Sequence, residues 1–211
     1  VGSEMCIRDS IRTASKLTNE YFDRLEEASE KGGATSIEYP GYRLAEQLKI
    51  VAQLIAGGVK SKIFVVRIGG FDTHGNQSLT HEVLLTYVAD AIKKFYDDLN
   101  YEGLDSKFLS MTFSAFGRRV KENGSQGTDH GSAAPTLLFG PPLRGSGIIG
   151  EWPSLDNVNR RGNMYNAIDF RSIYQTILKD WVCGDSDYID KAMLGNEYDA
   201  LGLGFGCNDL D

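Results

Sequence analysis

With 211 residues, 41% of them hydrophobic, the chain has enough apolar matter to bury one sizeable core. A formal charge of −7 and a pI near 5.0 speak against a nucleic-acid partner. Basic pairs such as Arg118-Arg119 and Arg160-Arg161 form no stripe for a phosphate backbone, and no apolar run reaches the length of a membrane span.

The first ten residues, VGSEMCIRDS, have neither the basic start nor the apolar centre of a signal peptide. Back-translated, they resemble a transposase-based sequencing adapter read through in frame. Residues 1–10 are therefore expected to be a non-native scar and residues 11–211 one α/β domain, the C-terminal portion of a longer protein. On this reading any export signal lay upstream and is missing. Setting Cys6 aside leaves Cys183 and Cys207. Cysteine count alone allows either a disulfide or two free thiols.

Ile11, Ala14, Leu17, Tyr21, Leu25 and Ala28 recur at helical spacing, and Gly32-Gly33 stop the pattern. Leu44, Leu48, Val51 and Ile55 mark a second amphipathic helix, closed by Gly57-Gly58. KIFVVRIGG then reads as a buried strand running into a glycine turn. Leu84, Val88, Ala91, Phe95 and Leu99 define a third helix. FLSMTF (108–113) and APTLLFG (134–140) read as further strands, and 141–167 as irregular. Ile173, Tyr174, Ile177, Leu178 and Trp181 form a closing helix, followed by a short helical piece at 188–194. Strands alternating with helices predict an α/β layered fold with a mostly parallel sheet flanked by helices. In such sheets ligands bind beyond the carboxyl ends of the strands.

Two glycine-flanked loops carry the chemistry. GGFDTHGNQ holds Asp72 and His74, and GTDHG holds Asp129 and His130, so two of the three histidines lie here. Two carboxylates and two imidazoles suit a divalent ion, zinc first, with manganese or calcium as alternatives. The same residue types also make ordinary turn hydrogen bonds, and spacing alone leaves both readings open. His81 reads as a polar residue at a helix start, promoted to an additional ligand or a supporting residue only if it faces the same cleft. Arg118 suits an anionic ester group through its planar fork, or a surface ion pair. GSGIIG matches a dinucleotide-binding glycine pattern, but Pro141-Pro142 before it and Trp152-Pro153 after it leave no room for strand, turn and helix.

DTHxxQ, FGR and GTDHG in this order, with YPGYRLAEQLKIVAQLIAGG and DFRSIYQTILKDW, resemble the bacterial domain-of-unknown-function 1501 family over about residues 11–205. That family is regarded as a sulfatase-like branch of the alkaline phosphatase superfamily. The resemblance implies a two-metal site that hydrolyses phosphate or sulfate esters, with Asp129-His130 ligating one metal and Asp72 belonging to the other's ligand set. Asn76 stands where the superfamily has a histidine ligand, and the nucleophile would lie upstream of this chain, leaving this portion inactive. The family's usual export implies a periplasmic or extracellular location, and that setting agrees with a Cys183–Cys207 disulfide. The expected substrate is a small-molecule or polysaccharide ester. The competing expectation is a non-catalytic secreted binding or scaffold protein with a degenerate metal site, favoured by Asn76, by Ala115 in place of the family's acidic residue, and by the lack of a histidine after His130.

Overall fold

A computed structural model describes residues 2–143 and 145–207, without the side chains of residues 2–11 and Ala14. The adapter-like character assigned to the first ten residues, with Cys6, therefore lies outside the described side chains. The chain falls into two compact units: one comprises the residues up to Gly70 with Glu82–Gly103, the other Phe71–His81 with the chain from Leu104 onward.

The first unit is helical. It contains α1 (Gly2–Gly32), α2 (Arg43–Ala56) and most of α3 (Gln77–Tyr101). The predicted apolar stripe of α2 is buried as Leu44, Leu48, Val51 and Ile55, and α3 buries Ala91, Phe95 and Leu99. Packing of α1 on α2 is close enough to need glycine. A Cβ on Gly57 would lie 1.8 Å from the Ala28 carbonyl oxygen, and one on Gly32 2.0 Å from that of Gln53. Asp98 of α3 is buried and accepts hydrogen bonds from Thr35 Oγ1 and, at 2.9 Å, from the Tyr39 hydroxyl. Burial first, and then this bond to Asp98, drives the Tyr39 pKa far upward.

The expected parallel sheet is not what the described residues form. The segment 62–68 joins no ladder. Its composition suits a buried strand, but a strand exists only through its partner, and Ile63 and Val65 are 70% and 72% exposed. Only at Arg67 does a strand-like pairing occur: the Gln47 carboxamide donates to the Arg67 carbonyl at 2.9 Å and accepts from its N–H at 3.1 Å.

In the second unit the strands are short and antiparallel. β1 (Ser110–Met111) pairs with β4 (Leu138–Phe139), so FLSMTF and APTLLFG are each strand over two residues only. β2 (Gly117–Glu122) and β3 (Thr128–Gly131) form a hairpin with Gly117 opposite Gly131 and Arg118 opposite His130. The GTDHG segment expected as a loop is thus largely a strand. The fold is of mixed α/β class, with helices and two small antiparallel sheets.

The closing helix is α4 (Phe170–Thr176), continued by a π turn over Ile177–Trp181, with α5 (Ser186–Ala192) after it. Asp169 caps α4 by accepting from the Arg171 N–H. Gln175 exchanges two hydrogen bonds with the Tyr198 backbone, at 2.8 and 3.1 Å. Cys183 and Cys207 are joined in a disulfide with their Cα atoms 5.5 Å apart, within the range such bridges require. The glycines of GSGIIG lie in irregular chain, with Gly145, Gly147 and Gly150 at positive φ. Among the described residues no helix is long and apolar enough to cross a membrane.

Candidate metal centre

The DTH loop and the β2–β3 hairpin are stitched together by backbone. The Thr128 N–H donates to the Thr73 carbonyl (3.2 Å), Asn76 N–H to Ser125 (3.1 Å) and Gln77 N–H to Gln126 (2.9 Å). The Gln77 side chain, which the DTHxxQ pattern pointed to, accepts from the Thr128 hydroxyl at 2.8 Å. Glycine is required at the contact: a Cβ on Gly127 would sit 2.3 Å from the His74 carbonyl carbon, and one on Gly131 2.5 Å from that of Arg118. Asn76 has a φ of 46°, so it serves here as a left-handed backbone position leading into α3.

These contacts gather the expected residues around one atom, Asp72 Oδ1. His130 Nε2 lies 2.9 Å from it, His74 Nε2 3.1 Å and Arg118 Nη2 2.7 Å. One ligand atom from each of Asp72, His74 and His130 falls within 4.8 Å of the other two. All three side chains are about half exposed. The hydrogen bond with His130 is the largest cause that holds the Asp72 carboxyl below the usual carboxylate range; desolvation opposes it, and Arg118 and the charges of the two imidazoles add to the lowering.

Neighbouring residues hold the two imidazoles. Phe116 stacks on His130 with centroids 3.8 Å apart and planes 10° from parallel. His74 Nδ1 faces Asp129 Oδ1 at 3.5 Å, and Asp129, expected as a ligand, is not among the three residues whose ligand atoms cluster. Asp129 and His130, adjacent on β3, both reach His74: the His130 ring lies 4.9 Å from that of His74 as well as against Asp72. His81 lies outside the cluster and packs edge-on against Phe71 at 5.5 Å.

Arg118, expected to meet a substrate anion, is occupied with the protein itself. Its side chain is only 16% exposed. Nη1 donates to the Thr128 carbonyl at 2.7 Å, and Nη2 to the Phe71 carbonyl at 2.6 Å as well as to Asp72. Arg119 is the more open of the two, with Nε 3.3 Å from the His130 carbonyl. Sequence reasoning missed Phe116, although it stands in the FGR motif that was singled out.

Residues 14–188 match the family model described as "Protein of unknown function (DUF1501)". The chain belongs to the DUF1501 family. No curated protein and no solved structure matches it. Within this DUF1501 chain, the matched span contains the DTH loop, the hairpin and α4, so every residue of the Asp/His cluster lies inside it.

Proposed function

We propose that Asp72, His74 and His130 bind a divalent metal ion, zinc ahead of manganese or calcium, within a hydrolase of phosphate or sulfate esters. The observation that carries this reading is the convergence of a carboxylate oxygen and two imidazole nitrogens within 4.8 Å. Ligands at zinc bond lengths of about 2.0–2.2 Å stand roughly 3.4 Å apart in a tetrahedron. Asp72 lies 2.9 and 3.1 Å from the two histidines, and with the cluster spread over up to 4.8 Å a small closing movement of a side chain would seat all three on one ion. Three protein ligands with about half of each side chain open to solvent leave room for water or substrate. When bound, the ion would polarise an ester oxygen or activate a water.

The surrounding residues have defined tasks in this reading. Asp129 keeps His74 oriented with Nε2 toward the ion, Phe116 holds the His130 ring flat, and Arg118 fixes the Asp72 carboxylate and the two strands of chain that bear the ligands. Thr73, between two ligands, is buried with no partner for its hydroxyl among the described residues. The larger sulfatase-like parallel sheet belongs to the same proposal, with the apolar segment 62–68 as one of its strands. So does export to a periplasmic or extracellular setting, with which the Cys183–Cys207 disulfide agrees.

One observation favours the second reading, a degenerate site in a binding or scaffold protein: Arg118 already supplies a cation to Asp72 Oδ1. Zinc titration of the chelator-treated protein separates the two. The metal reading expects one tight site that is lost in Asp72→Asn and His130→Gln. A folded wild-type protein that takes up no zinc, manganese or calcium would leave only the degenerate site.

A further inference from the structure

The first unit holds a groove of about 550 Å³, lined by Tyr42, Arg43, Arg67, Gly69, Leu84 and Tyr87 among others, none of which belongs to the Asp/His cluster. One wall is flat. The Tyr42 and Tyr87 rings stack at 4.3 Å with planes 19° apart, and the Tyr42 hydroxyl donates to the Tyr87 carbonyl at 2.9 Å. Gln47 draws the two arginines together: its amide nitrogen donates to the carbonyls of Arg43 (3.0 Å) and Arg67 (2.9 Å), and its oxygen accepts from the Arg67 N–H. Both arginines are exposed, and among the described residues neither joins an ion pair.

That combination is uncommon on a chain of net charge −7. Acidic residues outnumber basic ones, yet two arginines line one concavity and neither is ion-paired among the described residues, the nearby Asp90 acting on Tyr42. A guanidinium presents a planar fork of donors that matches the oxygens of carboxylates, phosphates and sulfates. Leu84 and the exposed part of Tyr87 offer an apolar, flat surface beside that fork. A ligand using both would join an oxyanion to a ring.

We propose that this groove binds a small aryl oxyanion, with the anionic group on Arg43 and Arg67 and the ring against the Tyr42–Tyr87 wall. The proposal concerns binding alone and stands independently of the metal reading. Phosphate, sulfate and carboxylate share the recognising chemistry, and the test tells them apart.

The experiment titrates the full chain, kept in chelator so that the Asp/His cluster stays metal-free, with phenyl phosphate, phenyl sulfate and benzoate. Inorganic phosphate and benzyl alcohol serve as the half-ligands, and ligand-observed NMR or calorimetry reads the binding. The expected result is saturable, mutually competitive binding of the aryl anions, the tightest of the three naming the acid, with both half-ligands much weaker. Arg43→Gln and Arg67→Gln should each weaken it by about tenfold or more, the effect of removing a charge-assisted hydrogen bond. Among the described residues neither guanidinium makes a hydrogen bond or ion pair to the protein, so far-UV circular dichroism should be unchanged in both variants. Tyr87→Leu should reduce the preference for phenyl over inorganic phosphate. Equal affinity for phenyl and inorganic phosphate, aryl binding that survives the double arginine variant, or no saturable binding would each overturn the proposal.

Discussion

Gly127→Ala tests whether the DTH loop and the hairpin are joined as described. Gly127 is buried, and a Cβ there would lie 2.3 Å from the His74 carbonyl carbon, 2.5 Å from Gly75 N and 2.6 Å from His74 O. All three atoms are backbone, so no side-chain rotation relieves the clash, and the loop must move off the hairpin. That movement strains or breaks the hydrogen bonds Thr128 to Thr73, Gln77 to Gln126 and Asn76 to Ser125, together with Asn123 Nδ2 to His74 O at 3.0 Å. Each bond contributes about 1 kcal/mol net, and overpacking typically costs roughly 1–3 kcal/mol. Partial relaxation brings the expected loss to about 2–4 kcal/mol, or a melting temperature lower by roughly 5–15 °C for a chain of this size. Urea denaturation followed by circular dichroism reads the free energy, and a thermal scan the midpoint. Gly124→Ala is the control: it lies in the same turn with nothing near its Cβ, and should stay within about 0.5 kcal/mol of wild type. If the two variants were equally stable, the loop and hairpin could not be in the contact described. Zinc affinity should fall in Gly127→Ala although no ligand is altered.

Asp129→Asn should keep the ligands but weaken zinc binding about 10- to 100-fold, as loss of an orienting carboxylate does; an unchanged affinity in a competition titration would remove Asp129 from the site. Arg118→Lys keeps the charge but loses the fork that reaches the Thr128 and Phe71 carbonyls, and should cost about 2 kcal/mol in chemical denaturation. Asp169 has its carboxyl held down at about 2, chiefly by the Arg171 side chain. Its folded value lies below the roughly 3.9 of an unfolded chain, so its contribution is full above about pH 4 and disappears as pH falls toward 2. Asp169→Asn should therefore flatten the acid limb of a stability–pH profile over that window, and an unaltered limb would contradict the capping role. Cys183→Ser should lower the stability of oxidised protein by about 3 kcal/mol, from a loop spanning 24 positions, and make no difference in reductant; equal stability with and without the bridge would mean that it does not constrain the chain.

The helices were legible because burial on one face imposes a 3.6-residue period, and Leu44, Leu48, Val51 and Ile55 carry it without interruption. The sheet was not. Strand formation depends on partners distant in sequence, so 62–68 has the composition of a strand without a ladder, whereas Thr128–Gly131 has poor strand composition and is paired. The site residues Asp72, His74 and His130 were legible as chemistry, but their convergence was expected at the carboxyl edge of a parallel sheet, whereas the described residues bring the DTH loop against an antiparallel hairpin. What the loops could not reveal was the pairing of side chains, His130 with Asp72 and Asp129 with His74. The backbone demands on Arg118 were equally hidden, because carbonyl acceptors leave no trace in side-chain identity.

The position of Arg118 bears on how a metal would bind. Asp72 Oδ1 already faces a guanidinium at 2.7 Å and lies 2.9 Å from His130 Nε2 and 3.1 Å from His74 Nε2. A divalent ion would need those two nitrogens unprotonated, with each ring's N–H on Nδ1, which for His74 is the atom facing Asp129. Arg118 need not leave. Its other donors are bound to the Phe71 and Thr128 carbonyls, which fixes it as a permanent positive neighbour of Asp72. A metal held beside that charge would have an incompletely neutralised environment, with two carboxylates, Asp72 and the more distant Asp129, against the doubly charged ion and a guanidinium. Such a centre would draw an anion to its open position, as the proposed hydrolysis of phosphate or sulfate esters requires.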